Sequence, residues 1–379
     1  MIPASDPRSG DGMSMKLSLR PSLSWLFAFI PVTLALEHLE VSAPLLFFSA
    51  ALAIVPIASL IVHSTEQLAK RTGDAIGGLL NATFGNAPEL IIAIVSLQAG
   101  LYEMTLASLV GAILANLLFA LGAAFFLGGL RKHEQHFNAR STRLYTSMML
   151  IAVISLIVPS AFSRFFSSQA ENAGAERSLN LILGVLLLAA YGLYLLFMIK
   201  THADLFRSEG GAGGKKEEEE EHGPGWSVAR AVASLVAASV LAAWMSEILV
   251  GAAEGTGKAL GMSQTFIGMV FLALVGGAAE SGSAIAMGRK DKMDLAVGIA
   301  LGSSVQIALF VAPLLIFASY FVGPHPIALS FNRAETGSLL LAVLIGTTVS
   351  NDGTSNWYKG VQLLTVYAVL ATLFYFIPT

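Results

Sequence analysis

The apolar residues of this chain are collected into runs of about twenty, separated by short polar breaks. Twenty helical residues rise about 30 Å, the depth of a bilayer's hydrocarbon core. The ten-residue alternating strands of a membrane barrel do not occur. The pattern predicts an all-α, polytopic membrane protein of about eleven transmembrane helices, near 24–39, 43–63, 78–99, 105–128, 142–162, 178–200, 228–249, 265–287, 293–321, 336–350 and 357–376. The span at 336–350 is the shortest. Residues 1–23 are polar, carry Arg8, Lys16 and Arg20, and have no clear small-residue cleavage site, so they read as a retained cytoplasmic tail.

The positions of Lys and Arg orient these spans. With the N-terminus cytoplasmic, eighteen of the 22 basic residues fall on the inner side. Only Arg164, Arg177, Lys258 and Arg333 fall outside. Removing one span would destroy this bias, so it supports the count as well as the orientation. One long polar break, 201–226, holds a glycine-rich stretch, Lys215, Lys216 and the run Glu217 to Glu221, and reads as a solvated, flexible acidic cytoplasmic linker. The expected organisation is a tail (1–23), an extra first helix (24–39), a first transmembrane repeat (40–200), the linker (201–226) and a second transmembrane repeat (227–379).

The two halves repeat. Glu66 to Gly73 and Glu254 to Gly261 both read Glu-x3-Lys-x2-Gly. A glycine-rich segment ending in glutamate follows each: Gly85-Asn86-Ala87-Pro88-Glu89 and Gly276-Gly277-Ala278-Ala279-Glu280. Gly111 lies 22 residues after Glu89, and Gly302 lies 22 after Glu280. By the charge count, the first Glu-x3-Lys motif is inside and the second outside. Two inverted five-helix repeats plus one extra N-terminal helix follow, an arrangement that secondary transporters use with the substrate site at the midplane between repeats.

Glu89 and Glu280 lie in the middle of apolar spans, where a carboxylate costs roughly 2.5–3.5 kcal/mol on insertion scales. Helix packing alone does not need such a charge. Pro88 and Gly85 weaken the third span and predict local unwinding near 84–89; Gly276 and Gly277 weaken the eighth without a proline. The alternative for the glycines is close helix packing. One divalent cation neutralises two carboxylates, and so do two protons. These loads exclude each other on the same oxygens, which is what antiport requires. Calcium takes 6–8 oxygens in flexible geometry. Asn86 shares a helix face with Glu89, and Ser303 and Gln306 add oxygens in the ninth span. Asn116 is a weaker candidate, equally readable as an interhelical hydrogen bond. His63 is a candidate gating or proton-relay group, with an interfacial capping role as the alternative. Glu247 is a candidate for drawing cations to the entrance.

Composition narrows the chemistry. The chain is 55% hydrophobic and 12% charged, with a mean hydropathy of +0.71; soluble domains carry about twice that charged fraction. It has no cysteine, and none of its seven histidines is adjacent to either glutamate, which argues against a soft-metal site.

These residues resemble the calcium/proton exchangers of the cation antiporter superfamily that also contains sodium/calcium exchangers. The resemblance covers about residues 43–379. It is carried by His63 to Ala69, by Gly85 to Leu90, by Gly302-Ser303-Ser304-Val305-Gln306 running on to Pro313, and by Asp352 to Trp357 with Gly360 to Leu364. It implies eleven spans, an acidic linker after the sixth, and no enzymatic role or cofactor. Glu89 and Glu280 become the calcium/proton carboxylates and metal ligands, with Asn86, Ser303 and Gln306 supporting them. Calcium, protons and the lipid bilayer are the implied partners, without nucleic acid and with oligomerisation open. A bacterial-type inner membrane is the expected location. The second motif departs from the family's usual Gly-Asn-Ala-Ala-Glu-His: Gly277 replaces the asparagine and Ser281 the histidine. The first change removes a ligand oxygen and the second a titratable neighbour, and both bear on the Glu280 side of the site.

The runner-up is a sodium or other cation/proton antiporter. An intramembrane hydrolase fits poorly: Asp74, Asp291, Asp294 and Asp352 read as loops or span ends, and His-Glu-x-x-His does not occur. Opposed repeats with titratable midplane groups argue against a passive channel.

Overall fold

The computed structural model describes residues 23–72, 74–166, 173–206 and 225–377. The tail up to residue 22, Gly73 and most of the linker, including Glu217 to Glu221, lie outside the described residues.

The helices are α1 (Ser24–His38), α2 (Ala43–Thr72), α3 (Asp74–Phe84), α4 (Ala87–Gln98), α5 (Tyr102–Gly129), α6 (Ala139–Phe166), α7 (Gly174–Thr201), α8 (Val228–Leu260), α9 (Gln264–Gly276), α10 (Ala278–Arg289), α11 (Met293–Ala318), α12 (Arg333–Ser350) and α13 (Trp357–Phe376). Each predicted span has a helical counterpart. Among the described residues, seven helices are long and apolar enough to cross a membrane, and the pair α9/α10, bent by 60°, makes eight. The other three spans fall on the short α1, on α3 and α4 with their break, and on α12, whose first turn is polar.

Local chemistry sets the boundaries. Ser227 and Ser263 accept backbone N–H groups at the starts of α8 and α9. Asn332 and Glu335 form a reciprocal capping box at α12. Asn356 accepts from Tyr358 N and Lys359 N at the start of α13. Gly261, at φ 67°, ends α8 in the left-handed region that glycine enters without penalty.

The buried apolar residues form two bodies. One is built from α5, α6, α7, α11, α12 and α13. The other centres on α2 and α8, which make the most extensive helix pair in the fold, with α1 packed against them. The broken helices belong to both: Ala93, Leu97 and Met269 join the first, and Ala87, Ile92 and Leu272 the second. The breaks therefore lie at the seam.

Small residues let the seam close. A side chain on Gly111 would overlap the Met269 carbonyl of α9, and one on Gly268 would overlap the Met104 carbonyl of α5. Gly302, the sequence counterpart of Gly111, meets only Tyr145 Cε1, at an ordinary 3.7 Å. The shared offset thus marks a packing requirement in one half alone.

The repeated Glu-x3-Lys motifs sit at opposite ends of the bundle. Glu66 lines a cavity with Ser141, at the start of α6, whereas Glu254 lines another with Ser160 and Ser163, near its end. Those positions are about 30 Å apart along a helix. This is the inversion expected from the charges.

Candidate functional site

The two sequence motifs adopt the same local structure. Helix α3 stops before Gly85 and Asn86, and α4 restarts at Ala87; α9 stops before Gly277, and α10 restarts at Ala278. The hinge conformations match, with φ −95° and ψ 21° at Asn86, and φ −79° and ψ 15° at Gly277. Leu90 N bonds to the Asn86 carbonyl, and Ser281 N to that of Gly277. Unwinding is thus confined to one or two residues, narrower than the 84–89 expected. Pro88 lies in the first turn of α4, where a missing N–H is tolerated, so it starts the second half-helix. It still leaves the Phe84 carbonyl without its helical donor. Glu89 and Glu280 each occupy the third position of a twelve-residue half-helix. Free N–H groups and the helix dipole favour negative charge there.

Both glutamates are buried, at 8% and 7% exposure. Both oxygens of Glu89, Oε2 of Glu280, Oδ1 of Asn86 and Oγ of Ser281 have no hydrogen-bond partner among the described residues. Oxygens removed from water normally find donors; other buried polar atoms of the described residues also lack one, but the carboxylate oxygens among them are those of Glu89 and Glu280. Asn86 Nδ2 donates to Gln306 Oε1, joining the start of α4 to α11. The backbone of α9 lies against Glu89: a Cβ on Gly276 would be 3.1 Å from Glu89 Cγ, and one on Gly277 would be 3.5 Å from its Oε1 and 3.9 Å from Asn116 Oδ1. The structure therefore brings Asn86, Glu89, Gly276, Gly277 and Asn116 together, and places the consequence of Gly277 beside Glu89, where the sequence suggested the Glu280 side.

Glu280, Ser303 and Gln306 face a different space. They line a cavity of about 310 Å³ with Gly85, Tyr145, Glu66 and Asp294, at the end of the bundle carrying Asn138 and Ser141. Glu89 does not line it and instead faces a void of about 10 Å³ walled by Ile92, Ser108, Leu109, Leu272 and Ile307. A larger hollow of about 1030 Å³ opens at the other end, lined by Glu103, Arg164, Glu254, Lys258 and Glu335. Of the two larger cavities, the one at the Glu66 end reaches Glu280.

The remaining candidates are elsewhere. His63 packs edge-on to Trp226, with ring centroids 5.1 Å apart, and its Nδ1 is 4.0 Å from Glu66 Oε2. It stands beside the cavity lining, at the end of the linker. Glu247 is exposed in a shallow hollow with Glu37 and Trp244, apart from both larger cavities.

Three features escaped the sequence reading. Glu66 and Asp294 are cavity walls; the first was visible only as a repeat anchor and the second only as a span end. π-helical turns lie beside the site at matching places in each half, Ala115–Ala120 and Ile307–Val311, and a further one at Ile267–Leu272 in α9. In the matched pair the first residue is 26 positions after Glu89 in one half and 27 after Glu280 in the other. Such turns often accompany functional sites, and hydropathy cannot signal them. Third, residues 130–138 tie the Glu66 end together. Gln135 and His136 pair antiparallel with Ser355 and Thr354, Gln135 Nε2 donates to Gly288 O and Asp291 Oδ1, and Asn138 N donates to Asp294 Oδ1.

The donor set fits a hard divalent cation: two carboxylates, amide and hydroxyl oxygens, and no sulfur. Among the described residues no three His, Cys, Asp or Glu side chains cluster, so neutral oxygens would have to complete any cation site here.

The chain matches the sodium/calcium exchanger protein family over residues 42–200 and 230–376. It is 40% identical over 365 residues to the Ca(2+)/H(+) antiporter of Synechocystis, covering 93% of this chain and 97% of the relative. It is 39% identical to the Ca(2+)/H(+) antiporter ChaA of Bacillus subtilis, covering 92% and 97%. The structure of native YfkE shares 34% identity and a TM-score of 0.79, covering 94% of this chain and 100% of that one. The H+/Ca2+ exchanger CAX, 14% identical with a TM-score of 0.67 over 93% and 91%, shares the fold. The chain belongs to the sodium/calcium exchanger protein family.

Proposed function

We propose that this protein is a secondary active antiporter that exchanges calcium for protons, and that Glu89 and Glu280 carry both cargoes. The observation that carries the reading is the set of unpartnered, buried carboxylate oxygens on two half-helices at the seam between two packed bodies. Calcium-loaded, the two carboxylates share one ion. Unloaded, each takes a proton. The doubly ionised empty site is too costly at this depth to cross, so the carrier returns only when loaded, which couples the two flows.

Asn86 and Gln306 hold each other across the α4–α11 contact, leaving Asn86 Oδ1 free as a ligand. Ser303 and Gln306 line the path that ends at Glu280. Glu66 and Asp294, on the same path, concentrate cations at its mouth. With the N-terminus cytoplasmic, this path opens to the cytoplasm of a bacterial-type cell, and exchange exports calcium.

Purified protein in proteoliposomes with an imposed pH gradient tests the reading. Calcium uptake driven by proton efflux is expected. Sodium uptake without calcium uptake would replace it with sodium/proton antiport, and flux without coupling would replace it with a channel.

A further inference from the structure

The two half-sites differ at one position. Asn86 and Gly277 are equivalent, each three residues before its glutamate. Gln306 lies 26 residues after Glu280, and Asn116 lies 27 after Glu89. In the first half-site the asparagine is tied across the seam, Asn86 Nδ2 to Gln306 Oε1. The matching tie would join position 277 to Asn116, and glycine cannot make it. Asn116 is only 1% exposed, yet its Nδ2 has no hydrogen-bond partner among the described residues. A buried amide donor without an acceptor costs about 1–3 kcal/mol, and the Asn116 oxygen that faces position 277 is the counterpart of the Gln306 oxygen that Asn86 bonds.

The backbone does not demand glycine here, because φ −79° and ψ 15° suit any L-residue. A side chain would fit, but closely against the Ala273 carbonyl. A Cβ would sit 3.2 Å from the Ala273 carbonyl oxygen, 3.5 Å from Glu89 Oε1 and 3.9 Å from Asn116 Oδ1. At the neighbouring Gly276 a Cβ would meet the Glu89 side chain itself, at 3.1 Å from its Cγ. Position 277 therefore opens a slot bounded by the Glu89 carboxylate, the Asn116 amide and the Ala273 carbonyl. All three boundaries are polar.

We infer that Gly277 is a specificity-determining position of the cation site. The slot widens the site on the Glu89 side, lets a divalent cation keep a water ligand there, and admits cations larger than calcium, such as strontium. This rests on the assignment of Glu89 to cation binding. A side-chain amide at 277 would donate to Asn116 Oδ1, as Asn86 donates to Gln306, turn its own oxygen toward a cation held by Glu89 and narrow the slot. An alanine would fill the slot and add no oxygen.

The test compares wild type with Gly277→Asn, Gly277→Ser and Gly277→Ala in proteoliposomes, measuring inhibition of calcium uptake by strontium. Thermal shifts of the purified proteins with each cation alone give a readout independent of transport. Gly277→Asn is expected to lower strontium's competitiveness relative to calcium by about tenfold, equivalent to about 1.4 kcal/mol. Gly277→Ser should move the ratio the same way, and covers the case in which the asparagine variant does not fold. Gly277→Ala should raise the KM for calcium without restoring the preference. An unchanged strontium-to-calcium ratio in a calcium-transporting Asn or Ser variant overturns the assignment of Gly277. Absence of calcium transport and of a calcium thermal shift in wild type would instead refute the exchange reading itself.

Discussion

Two glycines of α10 should respond oppositely to the same substitution. Gly→Ala within a helix gains roughly 0.8–1.0 kcal/mol of propensity where the methyl meets nothing. Gly282 is such a position, where an added methyl would have no atom within 4 Å, and Gly282→Ala should stabilise the protein. At Gly288 the methyl would lie 2.8 Å from the Ala124 carbonyl oxygen and 3.1 Å from Ala124 Cα and Cβ. These are atoms of the α5 backbone or fixed to it, so no rotamer change relieves the contact and the two helices must part by about half an ångström. Overpacking of this kind costs about 1–3 kcal/mol, which exceeds the propensity gain. The displacement also reaches the site. Gly288 is two turns beyond Glu280 on α10, and Ala124 is two turns beyond Asn116 on α5. Calcium–oxygen distances span only about 2.3–2.6 Å, so Gly288→Ala should raise the KM for calcium as well as lower the Tm. Thermal melting in detergent and calcium uptake in proteoliposomes check both. A Gly288→Ala protein as stable as Gly282→Ala, with an unchanged KM, would refute the claim that α5 and α10 are in backbone contact.

Gln135→Leu should destabilise the fold by about 1–3 kcal/mol, because it strips donors from the Gly288 carbonyl and from Asp291, a residue already held at φ 62°; denaturation in detergent would measure it. Tyr102→Phe should loosen the loop at the opposite end, since the Tyr102 hydroxyl accepts from His325 N and donates to His325 O, and faster amide hydrogen exchange at His325 is the expected readout. Burial pushes the Asp352 carboxyl up, but the Lys359 ammonium on both its oxygens and the Thr354 N–H outweigh this and hold it below its usual value. That contribution is complete above the unfolded carboxylate value of about 3.9 and fades as the pH falls through the lower folded value. Asp352→Asn should therefore lower the Tm slightly at pH 7, by the equivalent of at most about 1 kcal/mol for so exposed a pair. The difference from wild type should shrink toward pH 2, and a gap that persists there would contradict the ion-pair assignment.

Much of the fold is written in features that depend on few residues at a time. Apolar run length located a helix for every predicted span, because a bilayer makes length and hydropathy decisive. The matching Glu-x3-Lys and Gly-rich motifs revealed the repeat, and Lys and Arg placement its inversion. Contacts between distant segments were less legible. Nothing local distinguishes Gly111, packed on the Met269 carbonyl, from Gly302 in an ordinary contact. The pairing of Asn86 with Gln306, the approach of Gly277 to Glu89 rather than Glu280, and the cavity walls Glu66 and Asp294 all depend on how broken helices cross. The π-helical turns depend on packing on both sides. Pro88 read as a breaker because its ring forbids a helix interior, yet the chain uses it where the ring is harmless.

The central claim is that calcium and protons compete for the same carboxylate oxygens of Glu89 and Glu280. Its most direct test is to add calcium to the purified protein in weakly buffered detergent solution near neutral pH and count the protons released. The account predicts proton release that saturates with calcium binding and is lost in Glu89→Gln and Glu280→Gln. Calcium binding without proton release, or release that survives in either variant, would contradict it.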